Sequence, residues 1–497
     1  MSHPSGISRR EFLGATTAVA CSAQAAVSTR PNILFLMADE HRHDALGCAG
    51  NATIKTPNLD RLAGQGVNFT HTYCQGPLCQ PSRASIITGQ YVHQHGQTWN
   101  QFSMKPEWPT LMKQLQTAGY ETGMVGKAHF AGDGAFISPG SRDFRNTEFS
   151  RRFGLDWMVE EFDKSILQIP GAITPYTEYL KSKGLLETFI TETPRLRPNP
   201  RDAYAGKTSK LPLADCQSSF IGDRAIDWLH TRKTDKPFFL WVSFVEPHPP
   251  IIDNAYWAEQ YKDARMPIGP VVMPELKDDA YGRYIRTWIR MIGSGDFTEE
   301  GAAAMARHYF GMMSQVDRKI GDIIRALQET GADKNTWIIY TADHGEMMGD
   351  HKMIFKNVFY RGSVRVPNIV RPPGGMKPRT VHDLVESIDL TATMLEVAGA
   401  ELPQCKGRSL VPVIEGRAKG REVAFSELAG HQNKGNFFVM AATQRYRYLY
   451  DKQNGLPCEL FDLEQDPDEL HNLIDDPAHA GIRKDMHKDY LVPFMTA

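Results

Sequence analysis

The segment from Cys79 to Gly89 combines residue types and spacing that carry the strongest chemical signal in this chain. It reads Cys-Gln-Pro-Ser-Arg-Ala-Ser-Ile-Ile-Thr-Gly. At average residue frequencies, the pattern Cys-x-Pro-Ser-Arg should occur by chance in roughly one chain in a thousand of this length. A single cysteine is usually a small buried side chain, and on that interpretation Cys79 would only fill space before a helix. The proline, serine and arginine in register with it favour a reactive role for Cys79 instead.

Two further pairs of residues follow apolar runs and offer oxygen and nitrogen ligands. Asp39-Glu40 follows the first long apolar run of the chain, and Asp343-His344 follows a much later one. Oxygen ligands suit hard divalent cations such as Ca²⁺ and Mg²⁺. One such pair alone would more often be solvated loop charge. Both pairs together with the Cys79 segment predict a divalent metal site.

These residues are far apart in the chain, so the fold must bring them together. Continuous apolar runs are typical of buried parallel strands, and they lie at residues 32–37, 121–125, 238–244, 336–340 and 366–371. Helices are predicted at residues 58–66, 110–118, 220–231, 301–330 and 388–398. The alternation predicts an α/β fold with a mostly parallel central sheet flanked by helices. In such sheets, functional groups collect at the carboxyl ends of the strands.

Two regions depart from this alternation. Residues 130–212 are irregular and rich in Pro, Arg and aromatic residues, and we interpret them as insertions over the edge of the sheet, where substrate selection is often located. Near the C-terminus, a small antiparallel sheet is predicted from short alternating segments at 422–426, 437–443, 445–450 and 459–462. We therefore predict a main domain over residues 30–406 and a C-terminal α+β subdomain over residues 407–497.

The N-terminal residues predict export. Residues 8–13 read Ser-Arg-Arg-Glu-Phe-Leu, which is typical of a twin-arginine signal, and an apolar stretch and the small-residue run 23–25 follow. We predict a twin-arginine signal peptide over residues 1–25 and a periplasmic or secreted protein. Lipoprotein anchoring at Cys21 is the second choice, because residues 18–21 lack the usual Leu. The apolar stretch is too short to span a membrane, and no other span is predicted.

The composition excludes several classes of partner and site. Of the 497 residues, 41% are hydrophobic and 23% are charged, and the net charge is -2. These values describe an ordinary globular enzyme and give no reason to expect a nucleic-acid partner. The seven cysteines show no Cys-x-x-Cys spacing, so neither a zinc site nor a disulfide framework is predicted. A disulfide between some pair stays open in an oxidising compartment.

The Cys79 segment resembles the signature of the type I sulfatases of the alkaline-phosphatase superfamily. The polar residues from Asp343 to Pro367 resemble the second half of these enzymes and of their phosphonate-hydrolase relatives, and the likeness extends from Pro31 to Pro467. One departure is Ile-Thr-Gly-Gln at residues 87–90, where the family usually has Leu-Thr-Gly-Arg. In this family the cysteine is oxidised after translation to formylglycine. One hydroxyl of the hydrated aldehyde attacks sulfur, and the other expels sulfate.

The resemblance implies a set of metal ligands. Asp39, Glu40, Asp343 and His344 would bind one divalent ion alongside the hydroxyl of modified Cys79. Glu40 occupies the place of a second acid that is often Asp and sometimes Gln, and its extra methylene leaves its ligation open. His344 replaces the Asn of many calcium sulfatases. Because imidazole is a softer ligand than an amide oxygen, Mn²⁺ is an alternative to Ca²⁺, which is the first choice.

The resemblance also implies catalytic roles. Arg83 would orient the formylglycine diolate and support it electrostatically. Lys127 and His129 match the Gly-Lys-x-His of the family, in which the lysine holds a sulfate oxygen and the histidine contacts the nucleophile. His248 and Lys356 would grip the ester from the other side, with His248 as the better candidate for protonating the leaving oxygen.

Taken together, these expectations describe an exported sulfatase that hydrolyses a sulfate monoester on a small molecule or a glycan, with a carbohydrate sulfate as first choice. A formylglycine-generating enzyme would be its maturation partner. One alternative is a phosphonate monoester or phosphodiester hydrolase with the same nucleophile, which His344 and residues 349–351 keep open. The other is a non-catalytic anion-binding or structural protein, which predicts an unmodified Cys79 and no metal. Every position needed for chemistry is nevertheless filled.

Overall fold

The computed structural model describes Met1 and residues 30–132, 142–167, 169–194, 200–430 and 436–496. Residues 2–25 of the predicted signal peptide, including Cys21, lie outside the described residues. The strands of the described chain are β1 Asn32–Ala38, β2 Val67–Tyr73, β3 Glu121–Lys127, β4 Trp157–Glu161, β5 Lys207–Ser209, β6 Phe238–Phe244, β7 Ile252–Asn254, β8 Thr336–Ala342, β9 Arg365–Val366, β10 Asn368–Arg371, β11 Arg379–Glu386, β12 Ala424–Ala429, β13 Phe437–Ala442, β14 Tyr446–Asp451 and β15 Leu456–Asp462.

The α-helices are α1 Pro57–Ala63, α2 Cys79–Thr88, α3 Val92–His95, α4 Leu111–Thr117, α5 Glu148–Arg151, α6 Lys164–Leu167, α7 Pro175–Ser182, α8 Leu186–Glu192, α9 Pro200–Tyr204, α10 Gln217–Thr231, α11 Ala255–Tyr261, α12 Ala280–Ile292, α13 Glu299–Glu329, α14 Arg361–Val364, α15 Ser387–Ala398, α16 Val411–Ile414, α17 Ala480–Asp485 and α18 Val492–Thr496. None of the helices in the described ranges is both long and apolar enough to cross a membrane.

The main sheet has nine strands, of which eight lie in the order β11-β2-β10-β8-β1-β6-β3-β4, and β9 pairs with β2. The central strands β8, β1, β6, β3 and β4 all run parallel. Strands β9 and β10 run antiparallel to their neighbours. The predicted mostly parallel α/β sheet is therefore confirmed.

The apolar strands bury both of their faces, because helices cover the sheet on each side. Successive residues of a strand point to opposite faces, and β1 illustrates the result. Leu34 and Leu36 belong to one large hydrophobic cluster, whereas Ile33, Phe35 and Met37 belong to another. The long helix α13 packs on the first cluster. This two-sided burial holds the carboxyl ends of the strands in fixed positions.

The C-terminal part forms a second sheet in the order β12-β13-β14-β15, and every pair in it is antiparallel. This confirms the predicted small antiparallel sheet. The exact division at residues 406 and 407 stays a prediction. All six cysteines in the described residues are unpaired: Cys48, Cys74, Cys79, Cys216, Cys405 and Cys458.

The structure differs from the predicted elements at two places that bear on function. The run 366–371 is two strands, β9 and β10, because Pro367 interrupts the ladder and has no N–H to donate. Residues 130–212 hold more than an insertion, since β4 extends the main sheet at its edge. Because β4 ends in Glu160 and Glu161, its sequence resembles a polar segment and does not predict a strand.

The buried Arg447 links the second sheet to the segment that leads into α14. Its guanidinium contacts the carboxylates of Glu469 and Glu459, the latter at 2.9 Å, and its Cζ lies 5.1 Å from the centre of the Tyr360 ring. Removing one partner of a buried ionic network leaves the other charges without compensation. We expect Arg447→Ala to lower the free energy of unfolding by about 3–5 kcal/mol.

The neighbouring Arg445 provides a matched control. Its side chain is 49% exposed and pairs with Asp462. Because water screens an exposed ion pair, Arg445→Ala should change the stability far less than Arg447→Ala. Urea denaturation followed by circular dichroism gives the two midpoints. Equal midpoints for the two variants would contradict the assigned role of Arg447.

Candidate active site

The metal-ligand candidates meet because two strands pair in register. Strand β1 pairs with β8 so that Ala38 lies opposite Ala342. The residues that follow each strand, Asp39 and Asp343, therefore leave the sheet side by side. Their carboxylates, Cys79 Sγ and a ring nitrogen of His344 offer ligand atoms that all lie within 4.8 Å of one another, and all four residues are buried.

A second group of ligand atoms shares Asp39 with the first and adds Glu40 and His248. Glu40 has a positive φ of 68°, an unusual conformation for a residue with a side chain. One of its carboxylate oxygens, Oε1, is buried with no hydrogen-bond partner among the described residues. Burial raises the pKa of the Glu40 carboxyl well above its usual value. The negative charge of Glu346 raises this pKa further, whereas the positive charge of Lys356 lowers it.

These donors fit a divalent cation. The two groups together hold three carboxylates, two imidazoles and the Cys79 thiol. The Glu40 Oε1 atom, which has no hydrogen-bond partner among the described residues, lacks a positive partner that an ion would supply. Oxygen donors suit Ca²⁺, and the imidazole of His344 also suits Mn²⁺. The residues present are therefore consistent with the predicted metal site.

Cys79 is the first residue of helix α2, and its thiol is buried within this cluster. Its Sγ lies 3.2 Å from His344 Nε2, 3.7 Å from Lys127 Nζ and 3.8 Å from Asp39 Oδ1. Burial alone would raise the pKa of the thiol. The positive charges of Lys127, Lys356 and His344 outweigh burial, so the pKa of Cys79 lies well below its usual value. Negative charge on the group at position 79 is thus stabilised.

Arg83 connects the helix to both acidic residues. It lies four residues after Cys79, and so on the same face of α2, and it is fully buried. Its Nε donates to Asp343 Oδ2 at 2.8 Å, Nη2 to Asp39 Oδ2 at 3.4 Å and Nη1 to Ser243 Oγ at 3.0 Å. Arg83 fixes the two carboxylates relative to the helix that carries Cys79.

Lys127 and His129 come from the end of β3. Gly126, which precedes them, has a φ of 100°, and a Cβ there would lie 1.9 Å from the carbonyl oxygen of Ser243. Only glycine therefore lets β3 approach β6 this closely. Lys127 Nζ contacts Asp39 and lies 2.5 Å from Asp163 Oδ1. His129 lies within hydrogen-bond reach of Cys79 and lowers the pKa of its thiol.

His248 and Lys356 meet at Glu40. The Nδ1 of His248 donates to the carbonyl oxygen of Pro249 at 2.7 Å, because a carbonyl can only accept. The other nitrogen, Nε2, lies 3.6 Å from Glu40 Oε2. Lys356 Nζ lies 2.8 Å from the same oxygen. The Nε2 edge of the His248 ring therefore points toward the carboxylates of Glu40 and Asp163. Nε2 is the ring nitrogen that can exchange a proton with a ligand there.

All ten residues selected from the sequence lie in this one connected group, although their individual roles stay predictions. The sequence analysis missed three partners. Asp163, two residues after β4, contacts Lys127 and lies 3.8 Å from His248 Nε2. Ser243 accepts from Arg83, and the Tyr309 hydroxyl donates to the backbone oxygen of Glu40 at 2.6 Å. Asp163 would have been found by the strand-end rule if β4 had been recognised.

The arrangement suits displacement at an anionic, tetrahedral ester centre. A group at position 79 can carry negative charge, and Lys127, Lys356 and a divalent cation would oppose charge that develops on the ester oxygens. His248 is placed to exchange a proton on the other side of Glu40. Sulfate and phosphate esters both have this character.

Comparison with known sequences identifies several relatives. An uncharacterised sulfatase, YidJ, from Escherichia coli is 31% identical over 473 residues, which cover 94% of this chain and 87% of the relative. An arylsulfatase from Clostridium perfringens is 30% identical, with 90% of each chain covered. An N-acetylglucosamine-6-O-sulfatase from Bacteroides thetaiotaomicron is 26% identical, with 95% of this chain and 88% of the relative covered.

A solved structure with a similar fold is the phosphonate monoester hydrolase of Agrobacterium radiobacter. It is 26% identical, covers 94% of this chain and 96% of its own, and superposes with a TM-score of 0.76. A family model for the C-terminal part of N-sulphoglucosamine sulphohydrolase matches residues 349–492, and the Sulfatase family model matches residues 31–400. The latter match spans more than half of the chain and agrees with the relatives, so this chain belongs to the sulfatase family of sulfuric ester hydrolases.

Proposed function

We propose that this chain hydrolyses a sulfate monoester with a formylglycine made from Cys79 as nucleophile and with one divalent metal ion. The observation that carries the proposal is the position of Cys79. Its Sγ is in one cluster with the ligand atoms of Asp39, Asp343 and His344 and is also 3.7 Å from Lys127 Nζ. A nucleophile at this point touches both the metal-binding groups and a cation that can hold the ester.

Four residues would hold the ion: Asp39, Glu40, Asp343 and His344. When bound, the ion supplies positive charge beside the nucleophile and the ester oxygens. Ca²⁺ is the first choice because three of the four ligands are carboxylates. Mn²⁺ is the alternative because His344 provides nitrogen.

The chain's own side chains supply the remaining charge stabilisation. Lys127 and Lys356 approach position 79 from different segments. The positive charge of each lowers the pKa of the Cys79 thiol and so stabilises negative charge at this position. In a buried site such cations oppose the charge that develops on the sulfuryl oxygens. The doubly protonated form of His248 would donate its Nε2 proton to the departing oxygen, while Nδ1 keeps its own proton in the bond to the Pro249 carbonyl.

Formylglycine adds a second hydroxyl, which gives the sulfated enzyme a route to release sulfate. Its formation requires a formylglycine-generating enzyme as partner. The twin-arginine pattern of residues 8–13 supports export to the periplasm or the exterior. The similarity to an N-acetylglucosamine-6-O-sulfatase supports a carbohydrate sulfate as substrate.

Phosphonate monoester or phosphodiester hydrolysis is the second candidate. The similarity to a phosphonate monoester hydrolase and the imidazole of His344 favour it. Values of kcat/KM on matched sulfate and phosphonate monoesters, measured with one preparation, decide between the two. A preference for the phosphonate would replace the sulfatase proposal.

The nucleophile is tested at Cys79. Protein produced together with a formylglycine-generating enzyme should carry the aldehyde or its hydrate at this position, as read by peptide mass spectrometry. Cys79→Ser should still be sulfated but should not turn over, because serine has no second hydroxyl to expel sulfate. A fully active preparation that contains only the thiol would sink the mechanism.

The metal site is tested by removing carboxylates. Asp39→Ala and Asp343→Ala should each lose the ion and reduce turnover by at least about a hundredfold, the scale of losing a main charge stabiliser. Metal content is measured by mass spectrometry of the purified protein. Asp253→Asn, a buried acid paired with His308 outside the cluster, is the control and should keep the ion.

Position 40 has a test of its own, because its ligation is open. If Glu40 binds the ion, Glu40→Gln should lower both metal content and rate, since the amide carries no charge. Retention of both would assign Glu40 to holding Lys356 and His248 in place.

The role of His248 is tested with leaving groups of different basicity. A proton donor matters most when the departing alkoxide is basic. We expect His248→Ala to slow hydrolysis of a sugar sulfate strongly and that of nitrophenyl sulfate much less, as measured by kcat/KM. Equal losses on both substrates would instead assign His248 to binding the sulfuryl group and would leave Lys356 as the next proton donor to test.

A further inference from the structure

A cavity of about 90 Å³ lies between the main sheet and the C-terminal sheet, and three arginines line it. Arg361 begins α14 and Arg365 begins β9, whereas Arg447 lies on β14. The other residues that line it include His71, Gln444 and Glu469. None of these residues belongs to the candidate active site. We call this cavity the arginine pocket.

The arginine pocket is large and open enough to admit a small solute. Its 90 Å³ compares with roughly 10–15 Å³ that one water needs, so it holds several waters or one small anion. The Arg361 side chain is 31% exposed. His71 and Arg365 are partly exposed, and Gln444 is exposed. A solute can therefore reach the guanidinium groups from solvent.

Arg447 contributes charge to the pocket, and Arg361 contributes charge and free donors. Arg447 contacts Glu459 and Glu469, and only 2% of its side chain is exposed. Arg361 Nη2 lies 2.6 Å from Asp468 Oδ1. The Nε and Nη1 of Arg361 donate to no described residue and are not sealed from solvent. These two donors are available to a ligand.

Arg365 has no counterion among the described residues. Its Nη2 donates to the backbone oxygen of Thr70 at 2.6 Å, and no described carboxylate lies within 4.0 Å of its guanidinium. Its Nη1 donates to no described residue and is not sealed from solvent. A charge that is partly removed from water without a counterion is unfavourable, so this position favours a bound anion.

The positive charge of Arg365 also acts on its neighbours. Burial, and after it the charge of Arg365, lowers the pKa of His71 to about 4. Burial lowers the pKa of Arg365 itself, and the charge of Arg361 lowers it further. The carboxylates of Asp44 and Glu469 raise the pKa of Arg365, but they do not cancel these effects. The pocket thus keeps a positive potential that an anion would oppose.

We propose that the arginine pocket binds a small tetrahedral oxyanion, inorganic sulfate or phosphate, between Arg361 and Arg365. A guanidinium is planar and presents parallel N–H donors, which match two oxygens of such an anion. Arg361 and Arg365 stand at the two ends of α14, so one anion can accept from both. This site is separate from the ester chemistry at Cys79 and does not depend on the proposed function.

A bound anion would also support the active site through α14. The backbone N–H of Gly345, which follows the metal-ligand candidate His344, donates to the oxygen of Ser363 at 2.8 Å. A Cβ at Gly345 would lie 2.0 Å from the oxygen of Gly362, so α14 packs directly against this backbone. An anion held at both ends of α14 therefore stabilises the helix that supports the segment after His344.

The test uses selenate, a tetrahedral dianion that mimics sulfate and scatters X-rays anomalously. Crystals of the mature, metal-loaded enzyme are soaked in a series of selenate concentrations without sulfate or phosphate. Anomalous density gives the occupancy of each anion at its own position, so binding at the active site does not interfere. We expect density in the arginine pocket, within hydrogen-bond distance of Arg361 and Arg365.

Three variants examine the charge that holds the anion. Arg365→Gln should raise the dissociation constant of selenate in the pocket by about tenfold or more, the scale of one charge-assisted hydrogen bond. Gln444→Glu adds a negative charge at an exposed lining residue and leaves the buried groups intact, so it should also weaken binding. Gln453→Glu makes the same change in the exposed turn between β14 and β15 and should leave the occupancy unchanged. Gln444→Glu keeps the test decisive if Arg365→Gln does not fold.

Competition identifies the oxyanion that the pocket prefers. Sulfate and phosphate are added separately against a fixed selenate concentration, and chloride at equal ionic strength is the control. Stronger displacement by sulfate points to the product of the proposed reaction as the ligand, and stronger displacement by phosphate points to free phosphate. Displacement by chloride to the same extent, or by neither oxyanion, would overturn the proposal.

Hydrogen–deuterium exchange checks the site in solution. Sulfate or phosphate, whichever competes better, should slow exchange of the backbone amides in residues 463–469 in the wild type and in Gln453→Glu, but not in Arg365→Gln. A pocket without density at the highest selenate concentration, unchanged density in Arg365→Gln and Gln444→Glu, or unchanged exchange in the wild type would each overturn the site. A wild type that cleaves no sulfate ester would refute the proposed function alone, because none of these measurements requires turnover.

Discussion

The active site depends on one constraint: two carboxylates, Asp39 and Asp343, are held side by side in the interior of the protein. Their position follows from the parallel pairing of β1 and β8, in which Ala38 lies opposite Ala342. Uncompensated carboxylates would be costly at this depth. Arg83 donates hydrogen bonds to both carboxylates and compensates their negative charge. The same bonds connect the sheet to helix α2.

The same link positions the nucleophile. Because Cys79 and Arg83 are four residues apart on α2, the guanidinium cannot reach the two carboxylates without bringing Cys79 over the same strand ends. The loss of Arg83 would therefore disturb geometry and charge together. This coupling gives a physical reason for the spacing within Cys-x-Pro-Ser-Arg, which the sequence pattern alone does not provide.

Much of this arrangement could be predicted from the sequence, and the parts that could not have identifiable causes. The apolar runs predicted β1, β6 and β8, and the rule that functional groups follow strand ends predicted that Asp39, Asp343 and His248 would meet. Strand β4 was missed because it is short and ends in two glutamates, and Asp163 was missed with it. Asp163 contacts residues that are distant in the chain, and no motif surrounds it, so a single sequence does not predict these contacts.

The loop that carries Phe355 and Lys356 holds these two side chains against the active site. Phe355 and Asn357 have φ values of 77° and 68°, and Met348, His351 and Lys352 earlier in the loop also have positive φ values. Such conformations are unfavourable for residues with side chains and persist only where the surroundings impose them. Glu346 accepts from the backbone N–H of Phe355 at 2.5 Å and from that of Met348 at 3.0 Å, which holds the loop in this shape. Because Phe355 and Lys356 are consecutive, this strained turn sends the ring toward His248 and the ammonium group toward Glu40. One backbone conformation thus fixes both the surroundings of His248 and the positive charge of Lys356 that would stabilise the departing group.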